Sequence, residues 1–494
     1  MSTTIDCDIA IIGSGMGGST LAWALRQSGA RVVIVERGGH LPREPENWSP
    51  SEVFAESRYK NAESWEDGST GEPFKPGVHY YVGGNTKVFG ACLPRFREED
   101  FGELRHQDGV APAWPVSYAE MEPYYVAAER LFGVHGTPGG DPTEPWRSAD
   151  YPYPALEHEP PIAAFAASLA AQGLQPFLMP MGVDRREGGA CIQCRTCDGY
   201  PCKVDAKSDA EVRALRPALA EGVGLITGAY AVRLISERGR VREVELVRDG
   251  EPTTLRAERF VVSCGAVNSA ALLMRSGLAN SSDLLGRNYM VHNSTFFMAV
   301  DPRKRNTVSF QKTLGLNDWY LAGEDTDVPL GNVQMLGKLQ GPMLKAARRW
   351  LPMPAAKYLG AHSVDLYLTT EDLPERSNHI VADSNGGIRV HWRPNNLEPH
   401  RELKRRLTRA VRKAGFPLVF TDRMDISTNS HQCGTAVMGE DPAASVLDVG
   451  CRTHDVENLW VVDSACFPSS TALNPALTIA ANALRVADRG EITS

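Results

Sequence analysis

Two short apolar runs, Ile9-Ala10-Ile11-Ile12 and Val32-Val33-Ile34-Val35, stand near the start of the chain with no polar residue inside them. Runs of this length, rich in β-branched residues, predict strands buried on both faces. Between them, Gly17 to about Ser28 reads as a helix, and Gly29 ends it. Residues 7–36 therefore predict one βαβ unit. A polar stretch rich in proline and glutamate follows from about 40 to 77 and predicts loops and short helices. The buried-strand pattern returns twice. Arg259 to Ala266 predicts a strand leading into a helix from Asn268 to about Ser276. Asn458 to Asp463 predicts another strand, followed by a helix from Pro475 with Asn474 as its N-cap. From about 296 to 430 the chain is more polar. Strand-like alternation near 363–370 and 378–393 and a helix near 397–414 predict a second, substrate-covering domain.

Length agrees with this division, because 494 residues exceed the usual size of one hydrophobic core. A hydrophobic fraction of 42% is ordinary for a globular protein. The net charge of −8 gives no phosphate-binding surface, so no nucleic-acid partner is expected. No apolar run is long enough to span a bilayer, so no integral membrane segment is expected. The first residues run straight into a strand without a signal-type stretch, and a cytoplasmic location is the expectation.

Gly13-Ser14-Gly15-Met16-Gly17-Gly18 supplies G-x-G-x-x-G between the first strand and the helix. Gly13 permits the turn, Gly15 lets a pyrophosphate approach the backbone, and Gly18 permits close packing of helix on strand. The phosphates then sit at the positive end of the helix. Glu36 ends the second strand, where its carboxylate can accept hydrogen bonds from ribose hydroxyls. This fingerprint alone does not separate FAD from NAD.

Three further segments carry a family resemblance. Tyr80-Tyr81-Val82-Gly83-Gly84-Asn85-Thr86-Lys87-Val88-Phe89-Gly90, the stretch Val261 to Gly277, and His431-Gln432-Cys433-Gly434-Thr435-Ala436-Val437-Met438-Gly439 continuing to Asp463 and Asn474-Pro475 resemble the glucose–methanol–choline (GMC) oxidoreductases. The resemblance implies an α/β fold, with an FAD-binding Rossmann-like domain and an α+β substrate domain built on an antiparallel sheet. It assigns 1–105, 190–295 and 431–494 to the FAD domain, and 106–189 and 296–430 to the substrate domain. It implies FAD-dependent oxidation of a CH–OH group. It places Gly83, Gly84, Asn85, Thr86, Val232 and Asp463 at the cofactor beside Gly13, Gly15, Met16, Gly17, Gly18 and Glu36. The stretch Gly83–Gly90 has no histidine, so noncovalent FAD is expected.

The resemblance further implies His431 as the base and Asn474 as the partner that orients the substrate oxygen. An ordinary histidine pKa lies near neutrality, so flavin reduction is expected to slow as pH falls through it. Arg303, Trp319, Tyr320 and Tyr367 in the polar region lean the substrate toward a sugar, glycoside or similar polar alcohol. An apolar, sterol-like alcohol and a flavin-bearing electron-transfer subunit without alcohol chemistry are the alternatives. The electron acceptor is oxygen, a quinone or a protein. Of ten cysteines, Cys191, Cys194, Cys197 and Cys202 form a cluster whose first three match a ferredoxin spacing. An iron–sulfur cluster, zinc and metal-free thiols all stay open. The short basic and apolar stretch Leu344–Pro354 reads as a lid or packed surface helix, with contact to a membrane or an electron acceptor as the alternative.

Overall fold

The computed structural model describes residues 3–324, 326–384 and 386–493. The apolar runs form a five-stranded parallel sheet in the order Gly224–Ile226, Val32–Val35, Ile9–Ile12, Arg259–Val262, Leu459–Val461. Helices Met16–Leu25, Ala266–Ser276 and Ala476–Asp488 pack with it into the largest core of the molecule. Ile9, Ile11, Ile34 and Val261 are wholly buried, as two covered faces require. A second sheet, the meander Ala229–Glu237, Arg240–Arg248, Glu251–Arg256, is joined by Thr3–Asp6 in parallel.

The polar region folds around a six-stranded antiparallel sheet ordered Pro176–Leu178, Leu314–Leu316, Asn332–Met335, Ser363–Thr370, Asn293–Val300, Leu418–Arg423. Alternation decides which side is which. Phe297, Leu316, Val333, Leu366 and Leu368 face the helix Leu397–Lys413 and share a core with its Leu403, Leu407 and Val411. The helix turns its charges outward, where Arg405 and Arg406 pair with Glu402. On the other face, Gln334, Tyr367, Phe296 and Asp422 lie opposite one another across four strands.

Several boundaries differ from the sequence reading. The strand Asn293–Val300 runs through the division placed between 295 and 296. The helix Tyr118–Phe132 packs on Ala476–Asp488, so this part of 106–189 shares the parallel-sheet core. Trp65–Asp67 and Pro73–Phe74 extend a small sheet with His379–Ala382 and Ile388–His391, tying the N-terminal part of the chain to the polar region. Asn474 is not the helix cap. Pro475 occupies the cap position, no side chain caps the helix, and the Asn474 amide is engaged elsewhere.

Candidate active site

A cavity of about 1100 Å³ lies where the carboxyl ends of the parallel strands meet the polar face of the antiparallel sheet. The residues following four of those strands, Gly13, Glu36, Ser263 and Asp463, line it. This is where open α/β sheets bind their ligands.

Space around the glycines sorts their roles. A methyl group on Gly17 would meet the Val462 carbonyl oxygen at 1.9 Å, and one on Gly18 would meet that of Gly13 at 2.0 Å. Both serve packing. Gly15 has nothing within 4 Å at that position and opens on the cavity at the start of the helix Met16–Leu25. Gly83 and Gly84 both take positive φ, at 94° and 57°, and a Gly84 methyl would stand 3.2 Å from the Gly15 α-carbon. The two glycine loops are thus in near contact. Thr86 Oγ1 closes the second loop by donating to the Gly83 carbonyl at 2.6 Å and accepts from the Ala210 amide.

Glu36 accepts from Ser14 N and Oγ on one carboxylate oxygen and from Gly38 N on the other. Burial pushes its carboxyl above the ordinary value, against those donors. Asp463 accepts from Gly265 N and Ser269 Oγ at 2.9 and 2.6 Å, and from Ala465 N at 2.7 Å. It holds two loops together at the cavity wall. Met16, Asn85 and Thr86 also line the cavity, whereas Gly18, Gly83 and Val232 do not. Val232 sits at a register shift in its strand, where its carbonyl accepts from Arg275 Nε. Ala229, Tyr230 and Ala231 face the cavity in its place.

His431 and Asn474 line the same cavity. His431 Nδ1 is buried without a partner, which leaves Nε2 as the ring nitrogen with access to the cavity. Burial, then His292 and Lys312, lower its pKa to about 3, so the imidazole is neutral across the physiological range. His292 gave no signal in the sequence. Its ring lies edge-to-face with His431, with 5.2 Å between centroids, and its Nδ1 is 2.8 Å from the Thr471 carbonyl. Lys312 was also missed. Its ammonium donates to Asp198 at 2.8 Å, and both residues line the cavity. Burial works against the lysine charge, but Asp198, with Cys92 and Cys197 behind it, holds the Lys312 pKa above its usual value.

Of the polar-region residues expected near the substrate, only Tyr367 lines the cavity. Arg303 pairs with Asp301 at the surface, Trp319 packs in the core under the antiparallel sheet, and Tyr320 donates to Asp100. The four clustered cysteines lie within electrostatic reach of one another, Cys194 and Cys202 acting on Cys191, and Cys202 and Cys191 on Cys197. Among the described residues no three His, Cys, Asp or Glu side chains are grouped to hold a metal ion. Cys194 turns to Thr196, Cys197 is half-buried with its thiol pKa pushed up to about 12, and Cys202 borders a separate cleft beside Arg43 and Arg216. Lys207 ties this segment to the glycine loop by donating to the carbonyls of Phe89, Cys197 and Tyr200. The basic stretch falls in the helices Gly341–Ala347 and Met353–Ala361 and the turn between them, beside the cavity. Leu344, Ala347 and Leu351 line the cavity, and Arg348 pairs with Asp422 across from them.

Comparison with known proteins agrees with this architecture. Family models described as GMC oxidoreductase match residues 79–294 and 387–483, and one described as an NAD(P)-binding Rossmann-like domain matches 11–42. The chain is 31% identical to 6'''-hydroxyparomomycin C oxidase of Streptomyces lividus and 32% identical to paromamine 6'-oxidase of Streptomyces fradiae. Each alignment covers 97% of this chain and 90% of the relative. The chain belongs to the GMC oxidoreductase family. Another relative, the fructose dehydrogenase large subunit of Gluconobacter japonicus, is 26% identical over 98% of both chains. The crystal structure of pyridoxine 4-oxidase from Mesorbium loti shares the fold, with a TM-score of 0.67 at 22% identity over 98% of this chain and 99% of that one. As a GMC oxidoreductase the protein is a flavoprotein acting on CH–OH groups, with FAD as its cofactor. Among the described residues no helix is long and apolar enough to cross a membrane.

Proposed function

We propose that the protein oxidises an alcohol carbon of a sugar, glycoside or similar polar small molecule to the carbonyl, with His431 as the base. The observation that carries this reading is one continuous cavity with a glycine cradle and Glu36 at one part of its wall, and His431, Asn474 and the Lys312–Asp198 pair at another. The residues present fit FAD. Gly15 and Gly84 offer bare backbone at a helix N-terminus, which suits a pyrophosphate. Glu36 suits a ribose. In domain terms, the elements around the parallel sheet, with the helix Tyr118–Phe132 among them, would hold the cofactor, and the antiparallel sheet that begins at Asn293 would cover the substrate. Bound FAD supplies the acceptor for the hydride.

The chain's own residues do the rest. His431 Nε2 carries a lone pair in the neutral ring and takes the hydroxyl proton. Asn474 cannot act as a base, and it orients the substrate oxygen. The Lys312–Asp198 pair, its lysine buried and its aspartate half-buried, gives the cavity a charged polar group, which favours a substrate rich in hydroxyls over a sterol-like one. The names of the two Streptomyces relatives, oxidases of paromamine and 6'''-hydroxyparomomycin C, support the same class.

The test is anaerobic addition of sugars, aminoglycosides and apolar alcohols to the FAD-loaded protein, with bleaching of the flavin as the readout. A polar alcohol should bleach the wild type. His431→Ala should keep its FAD and lose about 10²–10⁴-fold in the reduction rate, the usual contribution of a general base. Wild-type reduction by His431→Ala would remove the base from the proposal.

A further inference from the structure

A file of buried side-chain amides runs from the ion pair of Arg97 and Asp141 to Asn474. Asn317 Nδ2 donates to Asp141 Oδ2 at 2.7 Å, Asn332 Nδ2 to Asn317 Oδ1 at 2.7 Å, and Gln334 Nε2 to Asn332 Oδ1 at 3.1 Å. The same Gln334 Nε2 donates to Asn474 Oδ1 at 2.7 Å. Strand geometry places these residues side by side. Asn332 and Gln334 are two apart on one strand and so share a face, and Asn317 directly follows the neighbouring strand Leu314–Leu316. All of Asn317, Asn332 and Gln334 are at most 1% exposed.

An amide can be turned end for end, so its orientation has to be argued from its partners. Here one end of the file decides. Asp141 is paired with the Arg97 guanidinium and also accepts from Thr143 N and Oγ1, so it acts as an acceptor. Asn317 must therefore turn its NH₂ to Asp141, which leaves its oxygen for Asn332. Asn332 must donate to that oxygen, which leaves its own oxygen for Gln334. Gln334 must then present NH₂, and the Asn474 atom 2.7 Å from it must be the oxygen. The arrangement leaves Gln334 Oε1 buried without a partner, an unmade hydrogen bond that the fold tolerates here. Turning Gln334 over would set its oxygen against the Asn332 oxygen, which the file has already fixed, and would bury its NH₂ where no acceptor stands.

We infer that this file fixes the polarity of Asn474, so that its Nδ2–H group and not its oxygen faces the reacting oxygen of the substrate, with Gln334 as the positioning residue. The inference rests on the proposed role of Asn474 at the alcohol oxygen. A donor at that place stabilises negative charge as the hydroxyl proton leaves for His431. An amide oxygen at the same place would repel it.

The test is anaerobic stopped-flow reduction of the FAD-loaded protein by whichever alcohol bleaches the wild type. Gln334→Glu replaces the donor by a group that donates only when protonated. At alkaline pH the introduced carboxylate should draw Asn474 Nδ2 toward itself and slow reduction about as much as Asn474→Ala does, on the order of 10²-fold for loss of one such donor. At acid pH the introduced carboxylic acid can donate to Asn474 Oδ1, and most of the rate should return. A role in packing alone would not produce that pH profile. Gln334→Met, which neither donates nor accepts, should lose roughly tenfold at every pH while keeping its FAD, and it supports the test if Gln334→Glu does not fold. A wild-type rate in Gln334→Met, or a Gln334→Glu rate that does not change with pH, overturns the inference. Failure of the proposed function would look different, because no alcohol would bleach the wild type or His431→Ala would reduce normally.

Discussion

A histidine of ordinary pKa keeps only about a tenth of its base form one pH unit below that pKa. If His431 were such a residue, flavin reduction would halve near pH 6.5 and fall about tenfold by pH 5.5. The structure reverses the expectation drawn from the residue type alone. Burial and the neighbouring His292 and Lys312 put the His431 pKa at about 3, so the neutral base persists well below neutrality. The reduction rate is therefore expected to stay flat from pH 8 to about pH 5 in an anaerobic stopped-flow series. A tenfold fall across pH 6.5 would show that the ring ionises like an exposed histidine. The same shift acts on the fold with the opposite benefit. As pH falls through 6.5, the unfolded chain takes up a proton at this position that the folded chain refuses, so the residue costs the fold stability increasingly between pH 6.5 and about 3.

At the scale of the element, the glycine turn separates packing from binding. Gly17→Ala puts a methyl 1.9 Å from a backbone carbonyl of another strand, and no side-chain motion relieves that. It should lower the melting temperature sharply, since overpacking of a tight core typically costs about 1–3 kcal/mol or more. Gly15→Ala meets nothing, and its backbone at φ −68° is open to alanine. It should fold normally and lose FAD. Melting curves and the flavin-to-protein absorbance ratio check both, and equal behaviour of the two variants would contradict the division. This contrast also shows what the sequence carries. The runs Ile9–Ile12, Val32–Val35, Arg259–Val262 and Leu459–Val461 were legible because a strand covered on both faces admits almost nothing but apolar residues. The fingerprint and His431 were legible through their order along the chain. Asn317, Asn332, Gln334, Lys312 and His292 were not. They are polar residues in a polar region, and sequence alone does not distinguish a strand face turned to solvent from one turned to a buried cavity. Arg303, Trp319 and Tyr320 were misplaced for the same reason.

For the whole molecule, the cofactor is expected to act as a structural ligand between two layers. The cavity is bounded by the ends of the parallel sheet on one side and by Phe296, Tyr367 and Met298 of the antiparallel sheet on the other, so bound FAD would touch or neighbour elements from both. A ligand that binds only the folded state stabilises it in proportion to the logarithm of its concentration, by about 4 kcal/mol at a thousandfold excess over Kd. The melting temperature should accordingly rise steadily as FAD is added to protein stripped of flavin. Since the loop Gly83–Gly90 has no histidine, acid precipitation should release the flavin into the supernatant, and colour retained by the pellet would count against noncovalent binding. Glu36→Ala should move the whole titration to higher FAD, because the variant loses the carboxylate proposed to meet the ribose, while the Ser14 N, Ser14 Oγ and Gly38 N donors beside it lose their acceptors. Its melting temperature without FAD should change much less than its response to FAD. A melting temperature indifferent to FAD in the wild type would mean that the two layers hold together without the cofactor, and an unchanged titration in Glu36→Ala would take that residue out of the binding site.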